Sequence, residues 1–209
     1  ACVLVFKKNR NNSDVLFIDA SKGFTKVGKT NKLMASDIKR IVDTIVARPE
    51  YVDKFARLVS KEEIRRNGYN LNIPRYIDST EKEDLQSIEA HLYGGIPQDD
   101  IDNIPHFWNV FPNLKNQIFG EYSKGFYKLL IQKDDVHKTI TENAEFLEYN
   151  KKVNKAFEEW KTFANPILIN LKPTDSNKEI ILNLSEEIIE KFSKLELLDK
   201  YDVYQVLLA

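Results

Sequence analysis

Cysteine occurs once in the 209 residues, as Cys2, so no disulfide can form within the chain and stability must come from buried apolar surface. That scarcity fits a reducing, cytoplasmic setting. Methionine is as rare, present only as Met34, and the sequence does not begin with one. No apolar run approaches the roughly 20 residues a membrane helix needs, so no membrane partner is expected. One cysteine and three histidines, His91, His106 and His137, have no zinc-ligand spacing. Gly-x-Gly-x-x-Gly does not occur. Gly28-Lys-Thr30 has the end of a Walker sequence, but a surface loop is the expectation there. No serine sits in a strand–turn–helix elbow. Adjacent carboxylates such as Glu62/Glu63 and Glu186/Glu187 splay apart on a helix, which argues against an acid–base dyad.

What the chain does have is segregated charge. Residues 1–78 hold 16 Lys and Arg against 9 Asp and Glu, a net of +7; residues 79–209 hold 15 against 23, a net of −8. The overall charge of −1 therefore hides a basic part and an acidic part. A basic surface attracts a phosphate backbone and an acidic one repels it. This divides the chain into a region at 1–78 expected to face DNA and a helical region at 79–209 expected to be available to protein partners.

Residues 2–6 and 15–18 are short apolar runs rich in β-branched and aromatic residues, and predict two neighbouring strands. Two strands cannot stand alone in water, so they are expected to form the edge of a larger sheet. Residues 21–32 predict a loop. Ser36 is expected to cap a helix reaching Ala47, with Ile38, Ile41, Val42, Ile45 and Val46 along one face. Residues 55–59 suggest a strand. Ser60-Lys-Glu-Glu63 predicts a capped helix ending near Asn67-Gly68, and residues 71–77 read as extended around Pro74. Thr80-Glu-Lys-Glu83 predicts a second capped helix, stopped by Gly94-Gly95. Beyond it, helices are expected at 106–121, 124–131 and 134–163, interrupted at Pro166 and Pro173, with a last helix capped by Asn183. The dense aromatics from His106 to Tyr127 could stack bases, but packing between short helices is their ordinary role. The apolar opening and the uncapped apolar close both read as cut ends.

Candidate DNA contacts are the cations of the first region: Lys7, Lys8 and Arg10 in one turn; Lys22, Lys26, Lys29 and Lys32 in the 21–32 loop; and Arg65 and Arg66. Such contacts position a protein on DNA without reading sequence.

Several stretches, in order, resemble the modification (methylase) subunit of type I restriction–modification systems. They are Ala1-Cys-Val-Leu-Val-Phe6, Val15-Leu-Phe-Ile-Asp-Ala20, Lys61-Glu-Glu-Ile64, Asn70-Leu-Asn-Ile-Pro-Arg-Tyr76, His91-Leu-Tyr-Gly-Gly-Ile-Pro97, Asp100-Ile-Asp102 and Leu198-Asp-Lys-Tyr-Asp-Val-Tyr204. The resemblance implies an α+β fold: short strands at the N-terminus, forming the edge of a truncated methyltransferase sheet, followed by a mainly helical region, with residues 1–78 the end of the methyltransferase catalytic domain and residues 79–209 the C-terminal helical region. It implies that the intact subunit methylates adenine N6 in DNA with S-adenosylmethionine, alongside a specificity subunit and a restriction subunit. The family's Asn-Pro-Pro-aromatic loop has no counterpart, since the one Asn-Pro here is Asn165-Pro166 followed by Ile167. The resemblance therefore transfers no catalytic or cofactor residue, and a piece inactive by itself, with no bound cofactor, is expected. The competing readings are an autonomous helical interaction module and a free-standing nucleic-acid-binding protein.

Overall fold

A computed structural model describes residues 2–80 and 87–208. The chain divides into two compact units, residues 1–83 and 84–209. The fold is α+β, with small sheets near the N-terminus and helices dominating the remainder.

The first unit is built on a three-stranded antiparallel sheet. Strand β1 (Val15–Ile18) pairs with β5 (Ala56–Val59), which also pairs with β4 (Tyr51–Val52), giving the order β1-β5-β4. The pairing Val15↔Val59 and Phe17↔Arg57 places these four side chains on one face. On that face Phe17 and Val59 join Ile64, Tyr76 and Ile77 in the unit's core. Residues 2–6 do not form the strand expected of them. They have no regular structure and are exposed, Phe6 by 89%. The partner of β1 is instead β5, with which it shares the apolar face.

The 21–32 loop is also more ordered than expected. Strands β2 (Thr25–Val27) and β3 (Thr30–Lys32) pair in register as a two-stranded ribbon. Gly28 and Lys29 make the connection, and the positive φ of Gly28 (62°) meets the demand of a tight hairpin turn. Helix α1 (Ala35–Ala47) begins one residue before Ser36, so Ser36 lies in the first turn rather than at the cap. Asp37 closes the N-terminus by accepting from the Met34 N–H at 2.7 Å. Its predicted apolar stripe faces out: Ile38, Val42, Ile45 and Val46 are all exposed, Val46 by 79%. Burial falls instead on Thr44, and Arg40 lies over the Phe55 ring at 4.3 Å.

Helix α2 (Lys61–Arg66) opens as predicted, with the Ser60 hydroxyl accepting from Glu63 N–H at 3.2 Å. A 3₁₀ turn at Ile73–Arg75 replaces the extended stretch, because Pro74 suits the first turn of a helix as well as an extended chain.

In the second unit, α3 (Ile88–Tyr93) is capped by Ser87, whose hydroxyl accepts from Ala90 N–H. The predicted cap at Thr80-Glu-Lys-Glu83 lies largely outside the described residues. Strand β6 (Ile96–Pro97) leads into α4 (Gln98–Asp102), α5 (Pro105–Val110) and α6 (Pro112–Ile118). The helix expected at 124–131 is a strand. β7 (Phe119–Ser123) and β8 (Phe126–Leu129) form a hairpin with β6 added alongside, in the order β6-β8-β7. Aromatic and aliphatic side chains there favour a pleated, half-buried surface over a helix. Phe111, Leu114 and Ile118 form the core beneath this hairpin.

The predicted helix 134–163 is two helices, α7 (Val136–Glu142) and α8 (Ala144–Ile169). They break at Asn143, whose Oδ1 accepts from Glu145 and Phe146 N–H at 2.8 and 3.2 Å. Pro166 does not interrupt α8, which continues to Ile169; the vacant acceptor positions of the last turn are met in part by Asn170, whose Nδ2 donates to Pro166 O at 2.7 Å. Helix α9 (Asn177–Phe192) is capped by Ser176, so Asn183 is interior to it. α9 packs on α8 and on α10 (Lys200–Leu208) through Ile188, Ile189 and Phe192, with Val153, Trp160 and Val203 against them.

Candidate nucleic-acid interface

The predicted cations fall on four parts of the first unit. Lys26, Lys29 and Lys32 share the β2–β3 ribbon and are all exposed. Lys32 lies opposite Thr25 and Lys26 opposite Asn31, so the two lysines project from opposite faces, with Lys29 at the tip. The ribbon thus presents charge on both sides and at its end. A two-stranded ribbon is narrow enough to enter the major groove of DNA, where phosphates lie along each wall.

Lys22, before the ribbon, is differently placed. Its charge helps lower the pKa of Asp19 and of Asp78. For Asp19, burial works in the opposite direction. Hydrogen bonds from the Ser21 and Ser79 side chains and from the Ser21 N–H outweigh it, and the carboxyl is held below its ordinary value. Asp78 is lowered first by the Thr80 hydroxyl and the Thr80 N–H. Lys22 therefore has carboxylates for neighbours, unlike the lysines of the ribbon.

Lys7, Lys8 and Arg10 lie in an exposed segment without regular structure. Arg10 Nη2 donates to Asn12 Oδ1 at 3.1 Å and to the Asp14 carbonyl, which Arg48 Nη2 also approaches at 3.3 Å. One face of the Arg10 guanidinium thus serves the local turn.

Arg65 and Arg66 end α2, where cations also complement the helix's exposed carbonyls. The turn after them is closed by paired hydrogen bonds, Tyr69 N–H to Ile64 O at 2.9 Å and Gly68 N–H to Arg65 O at 3.0 Å. Gly68 adopts a left-handed backbone (φ 64°), as this closure requires, and Tyr69 follows it there (φ 57°). Arg57 fixes both ends of the segment. Its guanidinium makes a bidentate pair with Glu63 at 2.9 Å on each side and reaches Tyr76 O at 3.5 Å. Tyr76 stacks on Phe17 with centroids 4.3 Å apart and donates its hydroxyl to Asn70 O at 2.5 Å. Sequence reasoning found Arg65 and Arg66 but passed over Tyr69, Asn70, Asn72 and Arg75, although residues 64–77 contain three arginines and no carboxylate.

Residues 23–30 spell Gly-x-x-x-x-Gly-Lys-Thr in full, Gly23 included, a match sequence reasoning also missed. The structure puts Gly28, Lys29 and Thr30 at a hairpin tip, not between a strand and a helix N-terminus, so their N–H groups do not cradle a phosphate. Asn165-Pro166 lies within α8 and is no loop. Among the described residues no group of three His, Cys, Asp or Glu could hold a metal ion, and no helix is long and apolar enough to cross a membrane. Several aromatics of the second unit pack inward, with Trp108 donating to Ile101 O at 2.6 Å and Phe111 meeting Phe146 and Tyr149, while Phe107 and Tyr122 are exposed. Two surface depressions of about 280 and 380 Å³ lie in that unit, one lined by Glu145, Tyr149 and Lys152 and the other by Asp175, Ser176 and Glu179.

Residues 1–85 match the N-6 DNA Methylase family. The chain is similar to the type I restriction enzyme MpnII methylase subunit of Mycoplasma pneumoniae, 39% identical over 85 residues, which covers 40% of this chain and 16% of that protein. It is similar to the MjaVII methylase subunit of Methanocaldococcus jannaschii, 39% identical over 90 residues, covering 40% of this chain and 15% of that one. A crystal structure of a type I methyltransferase subunit from Streptococcus thermophilus is 51% identical over 35% of this chain and 16% of that chain, with a TM-score of 0.34. The chain thus spans about one-sixth of the length of these relatives. The resemblance to type I modification subunits read from the sequence is borne out over residues 1–85, and the stretches at 91–97, 100–102 and 198–204 lie beyond the family match.

Proposed function

We propose that this chain is the end of the catalytic domain and the C-terminal helical region of a type I modification subunit, that its first unit grips DNA, and that the intact subunit transfers a methyl group from S-adenosylmethionine to adenine N6. The observation that carries the DNA role is the β2–β3 ribbon, with Lys26, Lys32 and Lys29 on its two faces and its tip, in a region of net positive charge. The match of residues 1–85 to the N-6 DNA Methylase family supports the methylase reading over an autonomous helical module. The exposed residues 2–6 and the exposed stripe of α1 are apolar surfaces that further strands and helices of the whole catalytic domain would cover. The acidic second unit then faces protein partners, the specificity and restriction subunits, in the cytoplasm. Residues other than those described supply the cofactor site and the reacting groups.

The test is DNA affinity of the 209-residue chain as a function of salt. Each phosphate neutralised contributes about 0.9 to the slope of log affinity against log salt. Replacing Lys26, Lys29 and Lys32 together by Ala is expected to lower that slope by about 2 to 3. A wild-type affinity that does not change with salt would remove the DNA role.

A further inference from the structure

The segment from Arg65 to Arg75 combines features that its packing does not require. It is clamped at both ends by Arg57, through Glu63 in α2 and through the Tyr76 carbonyl. Ile64, Tyr76 and Ile77 are buried in the core, while Arg65, Arg66, Tyr69, Asn70, Asn72 and Arg75 are exposed. The tip is thus held by a rigid base and turned to solvent. The residue at that tip costs the fold something. Tyr69 takes a left-handed backbone, which a bulky side chain adopts only at a cost and which Gly or Asn would take readily. Its ring is 64% exposed, so burial does not repay the strain. Strained, exposed residues on a well-anchored turn point to a use outside the fold. The surroundings state the charge of what is met there, because residues 64–77 carry three arginines and no carboxylate.

We propose that the turn between α2 and Tyr76 is a second DNA contact, in which the Tyr69 ring stacks on an unpaired base and Arg65, Arg66 and Arg75 bind the phosphates flanking it. The proposal rests on the DNA reading above and adds to it the kind of strand that is bound. An aromatic face accepts any base and gains from stacking only where the base has left its duplex. Arginines hold phosphate oxygens with two donors at once, which fixes the backbone while the ring meets the base. The ribbon lysines bind duplex charge; this turn prefers an unpaired nucleotide.

The experiment measures binding of the 209-residue chain to two fluorescent DNA probes. One is a blunt 20-base-pair duplex; the other is the same duplex with a five-nucleotide single-stranded extension. Wild type is expected to bind the extended probe more tightly. Tyr69→Gly is expected to bind the extended probe about tenfold more weakly, to bind the blunt probe as wild type does, and to unfold at the same or a higher temperature, since Gly relieves the backbone strain. Tyr69→Phe should keep the preference and Tyr69→Leu should lose it, which separates stacking from apolar contact in variants of like backbone cost. Equal affinity of wild type for the two probes, or equal behaviour of the Phe and Leu variants, overturns the proposal while leaving the ribbon's role standing. Wild type that binds neither probe overturns the DNA reading beneath it as well.

Discussion

The two units solve the problem of burial differently. The second has two clusters: Phe111, Leu114 and Ile118 lie beneath one face of its hairpin, and Ile188, Ile189 and Phe192 hold α8, α9 and α10 together. The first has a single small core of Phe17, Val59, Ile64, Tyr76 and Ile77, and leaves residues 2–6 and the apolar stripe of α1 in water. The unit that matches the methylase family is also the basic one, and its exposed apolar residues gather in residues 3–6 and along α1, whereas those of the second unit are spread from Ile88 to Val206. The contrast teaches that net positive charge and a clustered apolar surface coincide, both in residues 1–83.

The contrast can be broken from either side. Both tryptophans, Trp108 and Trp160, lie in the second unit, so their fluorescence reports on that unit alone. Ile118→Ala removes a side chain that is 2% exposed beneath the β7–β8 hairpin, and is expected to cost about 2–5 kcal/mol. Urea unfolding followed by tryptophan emission should shift strongly, while amide exchange at β1 and β5 stays unchanged. A matching loss of protection in β1 and β5 would show that the units do not hold separate cores.

Arg57→Ala should do the reverse on a smaller scale. It breaks the bidentate pair with Glu63 in a half-buried setting and is expected to cost about 1 kcal/mol, with faster exchange along α2 and no change in tryptophan emission. Asn143→Ala removes the cap of α8 and should cost about 1 kcal/mol, read directly by Trp160 on that helix.

The smallest expected effect is on acid stability. Asp102 is held below its ordinary value, first by the hydrogen bond from Lys115 at 2.6 Å and then by Gln98 at 3.0 Å. A carboxylate whose folded value is depressed stabilises fully above its unfolded value, here 3.8, and loses that contribution as the pH falls through the lower folded one. Stability of the second unit should therefore be level through the neutral range and decline below about pH 4, and Asp102→Asn should make the decline shallower.

Much of the fold was legible. The Ser60 cap, the helix that follows it and its stop at Gly68 came from local chemistry, and the structure has all three. The strand at Val15–Ile18 and the helical character of the last hundred residues followed from apolar period. What failed, failed for want of distant partners. Residues 2–6 carry a strand's composition, but a strand also needs a neighbour. β1 already pairs with Ala56–Val59, some forty residues along the chain. Phe126 and Leu129 fit a helical period as well as a strand's, and only pairing with β7 decides between them. Asn143 and Asn183 are both plausible caps by type; Asn143 caps because α7 ends there, whereas Ser176 starts the last long helix seven residues earlier. At the candidate interface, the lysines were legible as charge, but their division between two faces of a ribbon appeared only with the register. The left-handed backbone of Tyr69 is a feature that no composition discloses.

Hydrogen exchange of the full chain with and without DNA tests the central claim most directly, because it reads both units in one experiment. DNA is expected to slow exchange at residues 25–32 and 65–75 and to leave residues 98–208 unchanged. Protection concentrated in the acidic second unit, with the ribbon unaffected, would contradict it.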